Sequence, residues 1–232
     1  MKKYIMLWVA CTLSFMSCGD DDGAPALMPS ERGTVTDNDG NTYGWVRIGN
    51  LDWTTSNAKN GVPVYELTYY DGFEWVDAFD EEDAEDLEEN YFPVYGNLMT
   101  YEEAMNTAPA GWRVPTDEDW QQLEQALGAS QTDSKGWRGT NLADLFRQEG
   151  EGTELAMKHG GVCTWKAVYG WMELELEHVG EYGYYWTSTV DSSYTDFEAA
   201  YYRKICYNRG SVERQCGKVD KLMSVRWVRD AQ

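Results

Sequence analysis

Histidine is nearly missing from these 232 residues: His159 and His178 are the two present, in different contexts and at no metal-ligand spacing. Bases are also scarce, with 19 Lys and Arg against 40 Asp and Glu and a formal net charge of −21. Such a chain is repelled by phosphate backbones and anionic headgroups, so no nucleic acid partner is expected. Catalytic signatures are lacking too. Ser188 lies in Trp186-Thr-Ser-Thr189 without a nucleophile elbow. Carboxylates are plentiful, yet no pair is singled out as the acid and base of a glycoside hydrolase. No internal repeat occurs, and no metal or other cofactor is implied. The one long apolar run, Tyr4 to Met16, falls short of the roughly 20 residues a bilayer-spanning helix needs.

That run belongs to a secretion signal. Lys2 and Lys3 precede it, and Phe15-Met16-Ser17-Cys18 closes it with a small residue before a cysteine, as in a lipobox. Residues 1–17 are therefore expected to be removed and Cys18 lipidated. Cys11 also follows a small residue, but cleavage there would leave too short an apolar stretch. Losing residues 1–17 takes away two lysines and no acid, moving the formal charge from −21 to −23. Residues 18–32, with Asp20-Asp21-Asp22 directly after the cysteine, read as a lipidated acidic tether. An acidic triplet in that place resembles the surface-export tag of Bacteroidota lipoproteins. It implies an outer-membrane protein facing the cell exterior.

Residues 33–232 suit one folded domain, and eleven Trp and sixteen Tyr are more aromatic load than a disordered chain carries. Gly33 to Ile48 predicts a β-hairpin turning at Asp39-Gly40, and Ile48 to Trp53 begins a further strand. Thr100-Tyr-Glu-Glu103 and Thr116-Asp-Glu-Asp119 carry the spacing of helix N-caps. In the second, Trp120, Leu123 and Leu127 form one buried face before Gly128. A third short helix is expected at Asn141 to Arg147. Strands return at Tyr184 to Thr189, and Met223, Val225 and Trp227 alternate with Ser224 and Arg226 as a half-buried terminal strand. Strands at both ends with helices between predict an α+β domain. Asp71 to Glu89 holds eleven acids and no base. It reads as a solvated loop or frayed helix, with a weak cation site as the alternative. Asn208-Arg209-Gly210-Ser211 reads as a turn that brings Cys206 and Cys216 close to opposite one another. A disulfide then forms if the register matches, and a one-residue offset forbids it. Cys163 is left as a buried thiol.

Several segments resemble the Fibrobacter succinogenes major paralogous domain family. They are Gly33 to Tyr43, Val46 to Asn50 with Trp53, Asn57-Ala-Lys59, Gly96 to Met105, Gly111-Trp-Arg-Val-Pro-Thr-Asp-Glu-Asp-Trp120, Gly183 to Thr189 and Ser224 to Asp230. Residues 71–90 and Trp165 to Glu177 fit that pattern poorly and look like insertions. The resemblance implies a C-type-lectin-like fold related to formylglycine-generating enzymes. It implies no defined activity. Those enzymes need a pair of active cysteines, which Cys163, Cys206 and Cys216 do not match, and the calcium-dependent Glu-Pro-Asn and Trp-Asn-Asp sugar motifs are missing. The expectation is a non-catalytic, calcium-independent binding domain for a polysaccharide or glycoprotein. Its ligand residues are Trp165, Tyr169 and Trp171 on a long loop, with Tyr194 in support. The same tryptophans would otherwise fill the core. A structural lipoprotein docked on another envelope protein is the second reading, and a carbohydrate-active or formylglycine-type enzyme the third.

Overall fold

The computed structural model describes residues 28–168 and 171–232. Cys18 and the tether up to Leu27 lie outside them. The first strands are β1 (Arg32–Thr36), β2 (Thr42–Ile48) and β3 (Leu51–Thr54), and the last is β12 (Val228–Asp230). They form one antiparallel sheet in the order β1-β2-β3-β12, so the two chain ends close on each other. The β1–β2 turn is fixed by Asp37. Its carboxylate accepts from the backbone N–H of Asp39 and Asn41 and from the Tyr43 hydroxyl, and Gly40 takes a φ of 88°.

A second antiparallel sheet runs β6-β11-β10-β9, built from β6 (Gly136–Arg138), β9 (Tyr182–Val190), β10 (Ala199–Cys206) and β11 (Val212–Lys218). Three helices follow the sequence expectation: α3 (Tyr101–Asn106), α4 (Asp117–Ala126) and α5 (Leu142–Arg147). The Thr100 and Thr116 hydroxyls accept from the N–H groups of Glu103 and Asp119, and Thr116 with Asp119 completes a capping box. Trp120 and Leu123 of α4 and Leu127 at its C-cap are buried with Phe146 of α5, Trp53 of the first sheet and Tyr185 of the second. One core therefore joins both sheets and both helices. Arg113 pairs with Asp119 and Asp230, tying the α4 N-terminus to β12.

The C-terminal segment departs from the half-buried strand expected of it. Ser224 and Arg226 are as fully buried as Val225 and Trp227. The Arg226 guanidinium donates to Asn57 Oδ1 and to the carbonyls of Thr54, Leu155 and Ala156. Backbone carbonyls substitute for water around that charge, so an arginine occupies a core position that sequence alternation assigns to solvent.

The disulfide expectation is overturned by register. β10 and β11 pair Tyr201 with Cys216 and Ile205 with Val212. The turn is thus centred on the Asn208–Arg209 peptide, whereas Cys206 and Cys216 are symmetric about Ser211. Cys206 lies five residues along from the partner of Cys216, roughly 17 Å away, and a disulfide needs Cα atoms within about 7 Å. Cys163, Cys206 and Cys216 are all free thiols.

Candidate functional site

The two segments that break the family pattern fold against each other as an arm outside the two sheets. In the first, β4 (Thr68–Tyr70) pairs with β5 (Trp75–Asp77), and α1 (Glu81–Asp86) follows. A π-helical turn at Leu87–Tyr91 then leads into α2 (Phe92–Tyr95). In the second, β7 (Val162–Val168) pairs with β8 (Trp171–Glu177). Leu87, Tyr91, Leu98, Cys163, Leu174 and Leu222 make a core of their own beneath the arm. The base of the arm is held by Asn97. Its Oδ1 accepts from Val64 N–H, while its Nδ2 donates to the carbonyls of Asn60 and Val62. Gly96 precedes it at φ 74°, where a Cβ would sit 2.7 Å from the Ala58 carbonyl oxygen, so no other residue fits that approach.

The acidic stretch is therefore ordered rather than a bare loop. Asp80 caps α1 by accepting from Asp83 N–H, and every acid of α1 is exposed. At the β4–β5 turn the Asp71 carboxylate accepts from the N–H groups of Glu74 and Phe73, which hold it below the usual carboxylate range. Among the described residues, no group of three His, Cys, Asp or Glu is placed to hold a metal ion.

The residues named from sequence as ligand contacts divide. Trp165 lies in strand β7, not on a long loop. Its strand alternates so that Cys163, Trp165 and Ala167 share a face with Leu176, Leu174 and Met172 across the register. The ring meets Tyr69 edge-on at 5.4 Å and joins the two strand pairs, leaving 36% of the residue exposed. Tyr169 lies outside the described residues; Trp171 opens β8, with its side chain likewise outside. Tyr194 is elsewhere, in the connection between β9 and β10, where it stacks on Phe197 at 5.0 Å. The structure does not gather Trp165 and Tyr194 into one site.

The aromatic surface it does build was missed. Tyr70 and Trp75 are directly opposed across β4–β5, with ring centroids 6.0 Å apart. They are 57% and 71% exposed, on the strand face that also carries Thr68 and Asp77. Phe73 at the turn is exposed too, as is Met172 at the start of β8. A cleft of about 620 Å³ opens between these strands, bordered by Tyr70, Asp71, Met172 and Glu173 among others. The signal for it was present in sequence. Asp71-Gly72 sits between Thr68-Tyr-Tyr70 and Phe73-Glu-Trp-Val76, the turn-and-flank pattern of a hairpin.

Residues 46–229 match the Fibrobacter succinogenes major domain. The chain belongs to that family. No curated protein and no solved structure matches it. The motif residues of the Fibrobacter succinogenes major domain in this chain serve the fold. Asn57 receives Arg226, Asn97 fastens the arm, Arg113 and Asp119 brace α4, and Trp53, Trp120 and Trp227 are fully buried.

Proposed function

We propose that this member of the family is a lipid-anchored outer-membrane protein whose domain binds a polysaccharide or glycoprotein outside the cell, without catalysis and without calcium. The anchor is Cys18, and the acidic tether after it, which gives way to the first sheet before β1 starts at Arg32, carries the domain away from the membrane. The exposed Tyr70–Trp75 pair carries this reading. In a domain whose other tryptophans are mostly committed to the core, β4–β5 hold two large exposed rings side by side, inclined to each other at 59°, as an apolar surface. Sugar rings present C–H faces that stack on exposed aromatic rings of this kind. The C-type-lectin-like fold implied by the family resemblance fits a binding role on long excursions from the sheets.

The test is retention of the purified protein in gels or on arrays carrying surface polysaccharides and glycoproteins, in the presence of EDTA. Retention on at least one ligand class is expected. Trp75→Ala should weaken it by about tenfold, equivalent to roughly 1.4 kcal/mol. Because Trp75 is a surface residue, its melting midpoint should stay nearly unchanged. Retention that survives Trp75→Ala, or that EDTA abolishes, contradicts the reading.

A further inference from the structure

A second feature of the arm goes beyond glycan stacking: a neighbouring cleft that shares Glu173 with the first but reaches α1. A cleft of about 710 Å³ runs between β8 and α1. Glu173, Leu174, Glu175 and Leu176 border it in succession. Their side chains alternate between the two faces of β8, so a cleft that touches all four follows the edge of the strand, not one face of it. Among the described residues that edge has no strand partner: β7–β8 is a two-stranded sheet, and β7 occupies the other side. An unpaired edge presents backbone N–H and C=O groups at ladder spacing, ready for an added strand.

The walls define what that strand must carry. Asp80, Asp83 and Asp86 recur at three-residue spacing, which places them on one side of α1 beside the cleft. Glu173 and Glu175 stand opposite. Among the described residues no base borders the cleft, and Lys166 of β7 is engaged with Glu175 and Glu177. Leu87 and Leu174 supply an apolar floor. A second copy of this chain, at a net charge of −21, would be repelled from such walls.

We propose that an extended, Lys- and Arg-rich segment of a partner protein adds to β8 as a further strand in this cleft. Backbone bonds to β8 set its register. Alternate apolar residues meet the Leu174 side, and the bases meet Glu173 and the α1 carboxylates.

The experiment titrates the full chain with a short labelled peptide alternating lysine and valine, read by fluorescence anisotropy. Saturable binding is expected, and it should weaken as salt rises because the acids are exposed. The same peptide N-methylated along one edge should bind at least about tenfold more weakly, since it cannot complete the ladder. Replacing its lysines by glutamate should abolish binding. Asp83→Asn with Asp86→Asn should weaken the lysine peptide several-fold while Asp80, the cap of α1, is kept. No binding, or binding indifferent to N-methylation, overturns the proposal. The Asp83/Asp86 variant leaves Tyr70 and Trp75 intact, so glycan retention by that variant separates failure here from failure of the glycan reading.

Discussion

Five charges are sealed between α4 and the second sheet, and their count makes an unequal prediction. Asp117 and Glu124 of α4 meet Arg138 of β6, Arg203 of β10 and Arg214 of β11, all buried. Arg203 donates to Glu124 Oε1 at 2.6 Å and to Asp117 Oδ1 at 2.7 Å. Glu124 also takes Arg138, and Asp117 takes Arg214. Three cations face two anions. Burial pushes the Arg138 guanidinium down from its ordinary value, with the charges of Arg203 and Arg214 acting in the same direction. Burial pushes the Asp117 carboxyl up, but Arg214 and Arg203 outweigh it and hold it below the usual range. Removing Glu124 leaves three buried cations with one anion, and breaking such a pair costs about 3–5 kcal/mol. Arg203→Met leaves two cations on two anions and keeps an apolar stem against Trp120, so it should cost no more than about 1–2 kcal/mol. At about 2–4 °C per kcal/mol for a chain of this size, Glu124→Gln should lower the melting midpoint by about 6–20 °C and Arg203→Met by about 2–8 °C, the first clearly more than the second. Calorimetry of the two variants at neutral pH reads the difference. Equal losses would refute the charge-count argument and leave packing as the cause.

Three further outcomes follow from the same structure. Burial, with Arg147 and Lys158 adding to it, lowers the His159 pKa to about 4, so the unfolded chain takes up its proton first as pH falls. Stability should decline between about pH 6.5 and 4, by on the order of 1 kcal/mol after discounting for its partial exposure, and urea titrations of His159→Gln should show a shallower decline over that window. Thiol labelling of the unfolded, unreduced domain should find Cys163, Cys206 and Cys216 all reactive, and reductant should leave the melting midpoint unchanged; a protected pair would contradict the β10–β11 register. Cys18→Ser should yield unprocessed or soluble protein while Cys11→Ser does not, as mass spectrometry of the mature N-terminus would record; an unlipidated start elsewhere removes the anchor from the account.

What the sequence discloses here is local. Thr100, Thr116 and Asp39-Gly40 announce caps and a turn because a side chain and the backbone within four residues of it decide the matter. The arm was not legible in the same way. Each off-pattern segment stands out, but their union rests on Tyr69 meeting Trp165 across the chain, and no local rule connects those positions. The three-residue strands β4 and β5 are too short for alternation to say which of Tyr69 and Tyr70 faces out. The cysteine pairing failed on register: the turn falls within Asn208 to Ser211 as expected, but strands folded about the Asn208–Arg209 peptide set Cys216 against Tyr201 and leave Cys206 far from it. Arg203 and Arg226 look like surface residues because burial of a guanidinium depends on partners drawn from distant segments.

Hydroxyl-radical footprinting on the isolated protein and on the protein bound to its surface polymer tests the central claim most directly. Tyr70 and Trp75 should be oxidised readily when free and protected when bound, while buried Trp53 and Trp120 stay silent in both states. Binding that leaves Tyr70 and Trp75 as reactive as before, with protection at Tyr194 and Phe197 instead, would contradict the assignment of the binding face to the arm.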